Sequence, residues 1–129
     1  MWDMTVEQVT RLTQSEPIGL DPKRLDELYL QLGPSAAEDV VCRALEEMAA
    51  RLAQIDRSHG ARQFDLLFKN ARGLSAISEQ LGMHLLSQVA RDVTYCAGNG
   101  DKTALAATLA RLMRIGERSL TEIWEMAAH

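Results

Sequence analysis

The chain has 129 residues, 47% of them hydrophobic and 5% aromatic, with 14 basic residues dispersed among 18 acidic ones for a formal charge of −4. That length and apolar content suit one domain with a real core, while the scattered charge and scarce aromatics argue against the basic stripe and stacking platforms of a nucleic-acid binder. No apolar run is long enough to span a bilayer and Met1 to Thr10 lacks the basic start and apolar centre of a signal peptide, so a cytoplasmic protein with no membrane partner is expected.

Residues 1–20 read as an N-terminal segment. Val6, Val9 and Leu12 recur there at helical spacing between about Asp3 and Gln14, before a loop, "SEPIG", that contains Pro17 and Gly19. The bundle proper is read over 21–129. In "DPKRLDELYLQLGPS", Asp21 is placed to cap a helix with Pro22 at its first position, Leu25, Leu28 and Leu32 lie on the buried side, and Gly33-Pro34 ends it. Ser35 and Glu38 have the spacing of a capping box, which predicts a long helix starting there with Val41, Leu45, Met48, Leu52 and Ile55 inward. Its end is expected at His59-Gly60, with the glycine in the left-handed conformation.

The next helix is expected from about Ala61, with Phe64, Leu67, Phe68, Ala71, Leu74, Ile77 and Leu81 inward. It sets Lys69, Arg72 and Gly73 together on its wet side, and Gly82 breaks it. Leu85, Leu86, Val89 and Val93 define a helix running to the reversal "CAGNGD", after which Asp101 caps a last helix with Leu105, Leu109, Leu112 and Ile123 inward. Four long helices joined by brief loops make the fold all-α: an antiparallel up-and-down four-helix bundle with short extra N-terminal helices.

From Leu25 to Leu120, about three quarters of the chain, the order "LDELYLQLG", "AAEDVVCRALEEMAARLAQI", "KNARG", "QLGMHLLSQVARDVTYCAGNGD", "LAATLARLMRI" resembles the histidine-containing phosphotransfer (HPt) domains of bacterial phosphorelays. That family carries an H-x-L-K-G motif. Placing Arg72-Gly73 on its Lys-Gly puts Lys69 where the phosphorylated histidine stands and Ala71 where the family has leucine. The stretch from Gly73 to Gly82 is also longer than the family's by about one helical turn. The resemblance implies a receiver-binding face of Lys69, Arg72, Gly73 and Ala76 on a response regulator's receiver domain. It also implies no phosphotransfer at position 69, because a lysine ammonium has no lone pair to attack an aspartyl phosphate. Phe68 is expected to fill the volume that Ala71 gives up.

Other candidates are weaker. His84, early in the helix after Gly82, is the alternative phosphoacceptor, though a contact at the helix start is the plainer reading. His59 and His129 sit at chain and helix ends. The pairs Glu46–Glu47 and Glu122–Glu125 have nothing converging on them, and the methionines Met48, Met83, Met113 and Met126 read as core filler. Cys42 and Cys96 are far apart without a CxxC pair, so neither a metal, a disulfide nor another cofactor is expected. Trp124 reads as an anchor of the last helix, or, if exposed, as a partner surface. The competing functions are a docking module without phosphate chemistry, a phosphotransferase acting through His84, and a dimerising helical scaffold unrelated to phosphorelay.

Overall fold

The computed structural model describes residues 20–128, so the helix expected between Asp3 and Gln14 lies outside the described residues. Those described form α1 (Pro22–Leu32), α2 (Pro34–Gly60), α3 (Phe64–Gln80), α4 (His84–Asn99) and α5 (Lys102–Ala128), with no strand among them. The described residues are all-α, as their apolar periodicity predicts.

Two of the helix starts follow the expected chemistry. Asp21 caps α1 by accepting the Lys23 N–H on Oδ1 at 3.1 Å, and Asp101 caps α5 by accepting the Ala104 N–H at 3.0 Å, each satisfying a backbone donor that the helix leaves orphaned. The start of α2 differs. Gly33, at φ 82°, closes α1 by donating to the Tyr29 carbonyl and then accepts the Ala37 N–H, so α2 begins at Pro34. Ser35 is therefore the second helical residue and Glu38 lies past the first turn, and no side chain caps this helix.

Helix α2 also ends differently. Gly60 stays helical and the left-handed residue is Arg62, at φ 58°. The Gln63 N–H reaches back to the Ser58 carbonyl at 2.8 Å and the Arg62 N–H to His59 at 3.2 Å, which is the Schellman pattern of helix closure. This closure uses up Ala61–Gln63 and delays α3 to Phe64. Helix α3 closes in the same way, with Gly82 at φ 76° and the Met83 N–H bonded to the Ser78 carbonyl at 2.9 Å.

Helix α2 packs on α3 and α5, α4 packs on the same two, and α1 packs on α2. The expected inward residues Val41, Met48, Leu52, Ile55, Leu67, Ala71, Leu74, Leu86, Val89, Val93, Leu105, Leu109, Leu112 and Ile123 are buried, joined by Ile115 and Met83. Leu28, Leu45, Leu85 and Ile77 are half-buried, whereas Leu32 and Phe68 are exposed. Phe68 thus does not fill space beside Ala71. Leu67, Ala71, Leu74 and Ser78 fill the inner face of α3, and Phe68 stands at its rim, about 20° of helix rotation from the buried Ser75. Ser75 and Ser87 bond each other's carbonyls across α3 and α4 at 3.2 and 3.1 Å, so small polar residues let these helices approach closely.

The chain entering α1 is held against the α3–α4 turn. The Asp21 N–H donates to the Gly82 carbonyl at 2.9 Å, and the Arg24 guanidinium donates twice to the Gln80 carbonyl at 3.1 and 3.3 Å. Glycine is needed at 82, because a Cβ there would come within 3.0 Å of the Asp21 carbonyl oxygen. No helix among the described residues is long and apolar enough to cross a membrane.

Candidate functional site

Lys69, Arg72 and Ala76 all lie exposed on the outer side of α3, and neither cation has a hydrogen-bond or ion-pair partner among the described residues. Gly73 does not share that exposure. It turns toward α2 and is half-buried, because the Arg51 guanidinium lies on its bare backbone; a Cβ at 73 would stand 2.6 Å from Arg51 Cζ. The glycine therefore seats an arginine of its own chain, and does not leave open backbone for a partner.

Arg51 is held in that seat from both helices. On α2, the Glu47 carboxylate accepts its Nη2 at 3.1 Å and its Nε at 3.3 Å. On α3, Asn70 offers Oδ1 at 3.5 Å, while its own amide is anchored by donating to the Leu66 carbonyl at 3.0 Å. Glu47, Arg51, Gln54, Arg57, Leu66, Lys69 and Asn70 line an open groove between α2 and α3. Arg57 donates Nη2 to the Gln54 side-chain Oε1 at 2.6 Å. The result is a shallow, net-positive surface on which Arg51 rests between its neighbours and Lys69, like Arg72 farther round α3, has no partner among the described residues.

Arg51 and Asn70 were not legible as part of this surface. The one signal in the sequence was the Glu47–Arg51 spacing of i,i+4, which stabilises a helix face without pointing to a neighbour. Neither Lys69 nor Arg72 offers a nucleophilic lone pair in its protonated form, so what these two side chains can do here is bind and steer negative charge.

His84 lies at the start of α4, where its Nδ1 is 2.9 Å from Glu79 Oε1 and its Nε2 is 3.7 Å from Asp21 Oδ2. It bridges three elements and is half exposed, which is the helix-start contact expected of it. The Asp21 carboxylate thus stands beside Nε2. The Ser87 hydroxyl, against an opposing effect of burial and with help from His84 and Arg91, holds the Glu79 carboxyl below the usual glutamate range.

The remaining candidates stay apart from this surface. Glu46, Glu122 and Glu125 are exposed, and no group of three His, Cys, Asp or Glu side chains among the described residues is placed to hold a metal. Met48 and Met83 are buried, Met113 is half-buried and Met126 is exposed. Trp124 is 53% exposed on an apolar groove between α2 and α5. His129 lies outside the described residues. No family model, curated protein or solved structure matches the chain.

Proposed function

We propose that this chain is an HPt-like docking module: an up-and-down four-helix bundle that binds the receiver domain of a response regulator without carrying phosphate itself. The neighbour pairs α2–α3, α3–α4, α4–α5 and α5–α2 run in a closed ring, as such a bundle requires. The observation that carries the reading is the exposed, unpartnered Lys69 ammonium, flanked by Arg72 and low-profile Ala76 on a rigid helix. An acidic phosphorylation pocket would meet opposite charge there. Arg51, resting on Gly73, adds a positive group beside it.

The test is titration calorimetry of the full chain against receiver domains. Binding is expected to favour the unphosphorylated receiver, to weaken with salt, and to fall further for Lys69→Glu than for Lys69→Ala. An exposed ion pair contributes roughly 0–1 kcal/mol, more when docking excludes water, so the charge reversal has the larger effect because it replaces attraction with repulsion. Equal affinity of Lys69→Glu and the parent would make the basic face a solvated surface. Acid-labile labelling of the parent, lost on His84→Ala, would instead establish the phosphotransferase alternative, which Asp21 beside Nε2 opposes.

A further inference from the structure

The α2–α5 side of the molecule carries an open apolar groove in which Leu45, Ala49, Leu120 and Trp124 meet. Trp124 leaves 53% of its surface in solvent, a large apolar exposure for a side chain that would otherwise pack. Beside it on α5, Arg114 and Glu125 are exposed and have no partner among the described residues.

These charges are spaced in a particular way. Eleven residues on a helix make about three turns, roughly 16.5 Å along the axis and only about 20° away from the same line. Arg114 and Glu125 are related by that step, and so are Met113 and Trp124. Both pairs are centred within one residue of each other, close to Ser119. A two-fold pairing brings residue i of one copy to residue j of the other and j to i. Two antiparallel α5 helices crossing at that level thus set each Arg114 against Glu125 of the second copy and each Met113 against the second copy's indole. A parallel pairing would instead set arginine beside arginine and glutamate beside glutamate.

We infer that two copies of this chain associate through the α2–α5 face, with their α5 helices antiparallel and Trp124 of each copy covered by the other. The inference does not rest on receiver binding, since Lys69 borders the groove on the opposite flank of α2 and stays open in such a dimer.

Sedimentation velocity of the full chain over a concentration series tests it. The parent is expected to dimerise reversibly, and Arg114→Glu or Glu125→Arg alone to weaken association by roughly tenfold, since each sets two like-charge pairs at the rim. The double reversal Arg114→Glu/Glu125→Arg restores the parent affinity, and Trp124→Ala weakens it without touching charge. All three charge variants change exposed side chains, so their circular dichroism stays that of the parent. A chain that remains monomeric up to about 1 mM overturns the inference, whatever else covers the groove. So does a dimer that ignores the single reversals, or a double reversal no tighter than the singles.

Discussion

Glycine inside a helix is about 1 kcal/mol less favourable than alanine, and at position 73 that loss accompanies a seat for the Arg51 guanidinium. The seat is made by the far end of a flexible side chain, which can swing away toward Glu47 on its own helix. Gly73→Ala is therefore expected to regain helix propensity, give up the long Arg51–Asn70 contact, and leave stability within about 1 kcal/mol of the parent or above it. Thermal melting checks this, and a large loss would mean that Arg51 is fixed more firmly than its partners imply. The same variant unseats one positive group from the basic face without unfolding it. Glu79 gives the complementary test in pH. Its folded carboxyl titrates below the ordinary value of 4.5, chiefly through the Ser87 hydroxyl, so its contribution is present above that value and is lost as pH falls through the folded one. Glu79→Gln should destabilise slightly at pH 7, by no more than about 1 kcal/mol for so exposed a group, and match the parent in acid, which thermal melts at the two pH values read.

Two helices of this chain end in the same hydrogen-bond pattern with different residues in the left-handed position, Arg62 after α2 and Gly82 after α3. A side chain in that conformation costs roughly 1 kcal/mol or more, which glycine avoids. Arg62→Gly is accordingly expected to stabilise by up to about 1 kcal/mol, less the entropy that glycine adds to the unfolded chain. Gly82→Ala should destabilise by about 1–3 kcal/mol, because it adds backbone strain and sets a Cβ 3.0 Å from the Asp21 carbonyl oxygen. Urea unfolding of both variants reads the two signs. This pair also shows what periodicity could and could not reveal. The apolar stripes placed all four long helices, and the caps at Asp21 and Asp101 were readable because a short polar residue before a helix has one main use. The closure at Arg62 was not, since nothing in arginine favours a left-handed backbone. Ser75 and Ser87 were missed because their burial depends on the partner helix, which supplies the hydrogen bonds that make a buried hydroxyl tolerable.

The candidate site was half legible for a related reason. Lys69 and Arg72 are exposed as their place opposite the apolar stripe requires, but the purpose of Gly73 depends on Arg51, which reaches it only once α2 lies alongside. The α2–α5 contact has the same character at the scale of the whole molecule. Gly116 meets Leu52 there so closely that a Cβ would stand 2.8 Å from Leu52 Cδ1 and 2.9 Å from Cδ2, and Leu52 is 5% exposed with core around it. Gly116→Ala should thus overpack the contact, costing about 1–3 kcal/mol against a helix gain of about 1 kcal/mol. Leu52→Ala alone leaves a cavity and should cost about 2–5 kcal/mol. Combined, the new methyl enters the space that leucine vacates, the overlap disappears, and the helix gain remains. The double variant is therefore expected to be more stable than Leu52→Ala alone, with a coupling of about 1 kcal/mol or more between two residues on different helices. Denaturant unfolding of the four proteins measures that coupling directly. Strict additivity would mean that α2 and α5 yield at this point, and that the contact joining the last helix to the first long one is looser than Gly116 implies.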